Sequence, residues 1–143
     1  MNRQTFFQAA ALSLAALLSV GANAQTPALA KHKVVFQVSD ADPAKWSLTL
    51  NNAKNVQQEL GANQVDIEVV AYGPGIGMLK ADALIANRVS EAAQAGVKLV
   101  ACENTMTVQK IAKADMNTAI SYAPAGVVEL MQRQREGWAY IRP

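Results

Sequence analysis

Apolar and polar positions along the chain follow two alternating periods. Short runs rich in β-branched and aromatic residues predict strands at 33–40, 64–72 and 97–102, with weaker candidates at 119–122 and 138–141. Between these runs, apolar residues recur every three or four positions, which predicts helices over 43–60, 79–96, 106–114 and 124–136. Strand and helix therefore alternate along the chain, which is typical of an α/β fold.

Residues that favour helix ends support several of these bounds. Asp42 is a good N-cap in front of Pro43, and Gly61 and Gly96 are suitable stops for the first two helices. A cap at Asn104 or Thr105 would start the third helix near Met106.

The last helix carries both apolar and basic residues. We expect Val127, Leu130 and Met131 to face inward, and Arg133 and Arg135 to lie on the exposed side.

Alternating strands and helices imply right-handed crossovers between parallel strands. The fold class predicted is therefore α/β, a three-layer α/β/α sandwich with a mostly parallel five-stranded sheet. In such a sheet the loops after the strands emerge at one edge, where ligands bind.

The first residues have the pattern of a secretory signal peptide. Arg3 precedes an apolar run, and Ala22 and Ala24 match a small-residue cleavage site, which predicts a signal peptide over 1–24 cut after Ala24. An uncleaved N-terminal anchor is the alternative. We expect a disordered leader over 25–32 that includes His32, one domain over 33–143, a periplasmic location and no membrane segment in the mature form.

Composition narrows the function classes. The chain has 13 basic and 11 acidic side chains and a formal net charge of +2, so no electrostatic footprint for nucleic acid is expected. One His and one Cys cannot assemble a standard zinc site, and we expect neither a metal nor a cofactor.

Cys102 is the only cysteine, and it lies at the predicted end of the third strand. A following helix N-terminus would lower the pKa of its thiol, with Asn104 as a candidate supporting residue, while the neighbouring Glu103 would act in the opposite direction. The alternative is a small buried residue that closes the strand.

A glycine-rich loop follows the second strand. Gly73, Gly75 and Gly77 could present backbone amides to an anion, or they could form a tight turn. Asp40, in the loop after the first strand, is a weak further candidate for ligand binding, and turn or capping roles also explain it.

Three stretches resemble the DsrE/DsrF-like family of small sulfur-relay proteins: "PAGVVELMQRQREGWAYIRP" (124–143), "AYGPGIGML" (71–79) and "VACENTM" (100–106). The resemblance is to a branch of small, mostly uncharacterised members and covers 33–143. It implies the α/β/α fold, homo-oligomers such as trimers or hexamers, and sulfur donor and acceptor proteins. It also implies that Cys102, at the place of the family's sulfur-carrying cysteine, holds a persulfide.

Two functions remain open from the sequence. The first is a periplasmic sulfur carrier, or sulfurtransferase relay, that uses a persulfide on Cys102. The second is a non-catalytic oligomeric module that binds a small anion or metabolite, in which Cys102 is structural.

Overall fold

The computed structural model describes residues 30–143. The predicted signal peptide and most of the predicted leader lie outside the described residues. His32, which we assigned to the leader, is instead the first residue of strand β1, where it pairs with Val65.

Within residues 30–143, five strands and four helices form the domain. The strands are β1 (His32–Val38), β2 (Val65–Ala71), β3 (Lys98–Cys102), β4 (Ser121–Ala123) and β5 (Ala139–Ile141). The helices are α1 (Pro43–Leu60), α2 (Ala86–Gln94), α3 (Glu103–Gln109) and α4 (Gly126–Arg135). Short 3₁₀ segments cover Ala62–Gln64, Gly73–Leu79 and Lys113–Asp115.

The sheet has the strand order β4-β3-β2-β1-β5, and every pair in it is parallel. This confirms the predicted five-stranded α/β architecture. All five strands end at the same edge of the sheet, and β1, the first strand in the part of the chain that the structure describes, is flanked by β2 and β5.

Two apolar cores lie on the two faces of the sheet. The larger one joins the sheet to α1, α2 and α3 through residues such as Phe36, Leu50, Val89 and Met106. The smaller one lies under α4, which contributes Leu130. Alternation of side chains along the buried strands explains this division, because neighbouring residues point to opposite faces.

Helix α2 begins at Ala86, so the predicted start at 79 is wrong. The backbone between the glycine loop and α2 bonds to a distant segment instead: Ala81 N–H donates to Asp115 C=O (2.9 Å) and Asn117 N–H donates to Leu79 C=O (2.9 Å). Because these groups are used in tertiary bonds, they cannot close helical turns.

Helix α4 presents a different face to the sheet from the one predicted. Leu130 is buried as expected, but Val127 and Met131 are 51% and 58% exposed. Arg133, expected on the exposed side, lies inward against the sheet and pairs with the buried Glu68. Gly126, Leu130 and Arg133 share the inner side because they are spaced four and three residues apart.

Within residues 30–143, no helix is both long enough and apolar enough to cross a membrane.

Candidate functional site

The site is built from the loops that follow β2 and β3, together with the start of α4. Cys102 is the last residue of β3 and the N-cap of α3, so this helix starts at Glu103 and not near Met106 as predicted. The Thr105 N–H donates to the Cys102 Sγ atom at 3.5 Å. A sulfur atom thus takes the capping position that an oxygen usually holds.

Thr105 links the thiol to the glycine loop. Its hydroxyl oxygen accepts a hydrogen bond from the Gly73 N–H at 2.9 Å, while its backbone N–H donates to the Cys102 sulfur. Gln109 donates to the Gly73 C=O at 3.0 Å. The two loops therefore form one hydrogen-bonded unit around the sulfur.

Gly126, the first residue of α4, borders the site on the face of the sheet opposite to α3. A Cβ atom there would lie 3.2 Å from the Cys102 Cβ and 3.1 Å from the Tyr72 Cβ. The helix start thus packs directly against the thiol and its neighbour on β2. Only a residue without a side chain fits at this distance without displacing them.

Cys102 is buried, with 5% of the residue exposed. Burial alone would raise its pKa, but the hydrogen bond from the Thr105 side chain acts against burial and lowers that pKa. Backbone N–H groups of Gly126, Thr105 and Asn104 act in the same direction. The net result is a pKa of the Cys102 thiol below its ordinary value, which favours the nucleophilic thiolate.

Asn104 lies beside the thiol, but its side chain is exposed. Its backbone N–H donates to the Pro124 C=O at 3.1 Å and also lowers the pKa of the thiol. The carboxylate of Glu103 pairs with Lys113 at 2.8 Å, which offsets its negative charge near the site.

Two of the three glycines of the β2 loop, Gly75 and Gly77, have packing roles. Gly75 lies directly against the backbone of Val38, and a Cβ on Gly77 would meet the Trp46 ring at 3.1 Å. Gly73 has a positive φ of 53°. The amides of Gly73 and Gly75 already donate to protein acceptors, Thr105 Oγ1 and Tyr72 C=O.

Asp40 lies at the same edge of the sheet, in the loop after β1. It pairs with Lys45 at 3.1 Å and with Arg142 at 3.4 Å. The hydrogen bond from Lys45 lowers the pKa of the Asp40 carboxyl, which therefore stays ionised. Its contacts join the β1 loop to residues that follow β5.

No cluster of three or more His, Cys, Asp or Glu side chains suitable for a metal occurs among residues 30–143.

The sequence did not reveal three members of the site. They are the Thr105 hydroxyl, Tyr72 and Gly126; of Thr105, only its place at the helix N-terminus beside the thiol was expected. Gly126 carries the clearest missed signal, because glycine at a helix start is consistent with a close approach between backbone and a neighbouring side chain.

Comparison with known proteins decides the family. The family model described as the DsrE/DsrF-like family matches residues 32–143. The chain belongs to the DsrE/DsrF-like family. No curated protein matches this DsrE-like chain.

Two solved structures share the fold of this DsrE-like protein. A protein of unknown function from Methanobacterium thermoautotrophicum is 35% identical, with a TM-score of 0.75 over 79% of this chain and 100% of that one. A conserved protein of unknown function from Bacteroides thetaiotaomicron is 14% identical, with a TM-score of 0.64 over 78% and 94% of the two chains. The second likeness shows the fold alone.

Proposed function

We propose that this DsrE-like protein carries sulfur as a persulfide on Cys102. The observation that carries the proposal is the placement of the sulfur as the cap of α3, within reach of several N–H donors. These donors favour a negatively charged sulfur, and both the thiolate and a deprotonated persulfide are of this kind.

The transfer needs no external oxidant or reductant. The Cys102 thiolate attacks the terminal sulfur of a donor persulfide, one S–S bond forms as another breaks, and the donor leaves as a thiolate. An acceptor thiolate then attacks the terminal sulfur on Cys102 and restores the Cys102 thiolate. Hydrogen bonds from Thr105 and the nearby backbone stabilise the charge at both stages.

The test is intact-mass spectrometry of the folded protein after incubation with a sulfane-sulfur donor. Wild type should gain one sulfur atom, about 32 Da, and a reductant should remove it. Cys102→Ser is the matched control and should gain nothing. Loading that persists in Cys102→Ser, or that requires unfolding in wild type, would refute the proposal.

A structural role for Cys102 is the second candidate, and the low exposure of the thiol favours it. On this hypothesis the domain is an oligomeric module that binds a small anion or metabolite. A thiol alkylator should then react only after unfolding, and anions such as inorganic phosphate should raise the melting temperature equally in wild type and Cys102→Ser. No shift with any anion would count against this candidate.

We also propose that the protein is exported and forms a homo-oligomer. The exposed apolar side chains of α4, Val127, Val128 and Met131, support an interface between copies on this face. Light scattering tests the oligomer, which should form in wild type and be weakened in Met131→Glu. Cell fractionation tests export. A monomeric wild type or a cytoplasmic protein would refute the respective part.

A further inference from the structure

The apolar contact that holds α4 on the sheet is small. Within the described residues, the buried cluster on this face consists of Val35, Val70, Val100, Ala123 and Leu130. Only Leu130 belongs to the helix, and Tyr72 and Trp138 pack at the margins. One buried apolar residue does not by itself fix the tilt of the helix or its position along the strands, so other contacts must do this.

Polar contacts fix the C-terminal end of α4. The Arg133 Nε atom lies 3.0 Å from the Glu68 Oε2 atom, and its two terminal nitrogens lie 2.8 Å and 2.9 Å from carboxylate oxygens of Glu129 and Glu136. The guanidinium also stacks on the Trp138 ring, 5.1 Å from the ring centre. One side chain thus joins the helix to both β2 and the segment before β5.

Glu68 is an unusual partner because its side chain is 0% exposed in the middle of β2. Lys98 on β3 contacts the same Oε2 atom at 3.1 Å, while the Oε1 atom is buried and has no hydrogen-bond partner among the described residues. Burying a carboxyl in this way is costly, and replacing such a group by apolar residues is often neutral or stabilising. A contribution to stability therefore does not explain why a carboxyl is buried at Glu68. A role in fixing the position of α4 on β2 does explain it.

The opposite end of α4 lies at the thiol. Gly126 packs on Cys102 and Tyr72, and Arg133 is about 10 Å further along the helix at 1.5 Å per residue. On β3, Lys98 lies about 13 Å before Cys102 at 3.3 Å per residue. The helix therefore runs along the strands, and a shift at Arg133 moves Gly126 relative to the sulfur.

We propose that Glu68 and Arg133 are positioning residues that hold α4 so that its first residue, Gly126, stays packed against Cys102. This inference rests on the proposed function, because it names the residues that set the surroundings of the same thiol. Neither residue touches the sulfur; both act through the placement of the helix start.

The test compares Glu68→Gln, Arg133→Met and Arg133→Lys with Arg135→Met, a control on the exposed side of the same helix. The first readout is the titration midpoint of the thiolate, followed by its ultraviolet absorbance against the matching Cys102→Ser background. This readout does not depend on access of a reagent to the buried sulfur. The second readout is the rate of persulfide loading at neutral pH.

We expect Arg133→Met to raise the titration midpoint and to slow loading by roughly tenfold, the effect of losing one hydrogen bond to a charged group. Glu68→Gln and Arg133→Lys should shift the midpoint in the same direction by less, and Arg135→Met should leave it unchanged. If Arg133→Met does not fold, the two milder variants decide the question in the same way.

If the folded Glu68 and Arg133 variants show the same titration midpoint of the Cys102 thiolate as wild type, the inference is overturned, whatever their melting temperatures. The two proposals fail separately. If wild type does not load sulfur but the midpoints shift as expected, the carrier function falls and the positioning role stands. If wild type loads sulfur and the midpoints do not shift, only the positioning role falls.

Discussion

Gly75→Ala tests the close packing of the glycine loop on strand β1. A Cβ at this position would lie 2.6 Å from the Val38 carbonyl carbon and 2.8 Å from the Ser39 nitrogen, and closer still to the Val38 oxygen. All three atoms are backbone, and Val38 is the last residue of a central strand. A flexible side chain cannot turn away to relieve the overlap.

The size of the effect follows from the overlap. Carbon and carbonyl oxygen normally approach to about 3.3 Å, so either the loop or the end of β1 must move by roughly 1 Å. Overpacking a close-packed interior costs about 1–3 kcal/mol and sometimes more. Because the obstacle is backbone in a paired strand, we expect Gly75→Ala to lower the free energy of unfolding by about 3 kcal/mol or more.

Urea unfolding followed by circular dichroism measures this loss. Gly73→Ala is the matched control in the same loop, because its φ of 53° is strained for alanine but an added Cβ meets nothing within 4 Å. Strain of this kind costs about 1–2 kcal/mol. If Gly75→Ala costs no more than Gly73→Ala, the steric argument is wrong.

Three further predictions concern the thiol and α4. Thr105→Val should raise the titration midpoint of Cys102, measured by thiolate absorbance, because it removes a hydroxyl that favours the thiolate; an unchanged midpoint would contradict this. Burial raises the pKa of Glu68 above its ordinary value of 4.5, so the folded state binds this proton more tightly than the unfolded chain does. The contribution of Glu68 to the free energy of unfolding is therefore present at low pH and is lost as the pH rises from 4.5 through the folded pKa. Glu68→Gln should remove that part of the pH dependence in urea unfolding, and identical pH profiles would refute it. Leu130→Ala should lower the free energy of unfolding by about 2–5 kcal/mol, since Leu130 is the buried apolar residue of α4, and a loss below 1 kcal/mol would show that the ion pairs alone hold the helix.

The sequence predicts the alternating elements well, because each depends on local pattern. Strand β1 begins one residue before the expected position, because its start is set by a run of apolar residues. Helix α1 begins at the expected position, because Asp42 and Pro43 mark its start. The placement of Cys102 at the end of a parallel strand follows from the same pattern.

The inner face of α4 was not predictable in this way. Its apolar residues lie on both sides of the helix, so local periodicity favours the stripe of Val127 and Met131 as readily as Leu130. Arg133 lies inward where it pairs with Glu68, a residue on a distant strand, and Leu130 on the same side joins the buried apolar cluster. A buried carboxyl cannot be recognised in an alternating strand until its partner is known.

The hydrogen bond that joins Thr105, beside the thiol, to the glycine loop is likewise long-range. Thr105 meets Gly73 across two loops that are separated along the chain by a helix and a strand. Topology brings those loops to one edge, but only the folded backbone shows which hydroxyl reaches which amide.

The position of β1 has a consequence for how the protein is made. Among the strands of residues 30–143, β1 is synthesised first, yet one of its two neighbours, β5, is synthesised last. Until residues 139–141 have been made, one side of β1 is an open edge able to pair with another chain. Sheet completion therefore depends on a contact of high sequence separation, which slows folding and lengthens the time during which the growing chain is prone to aggregation.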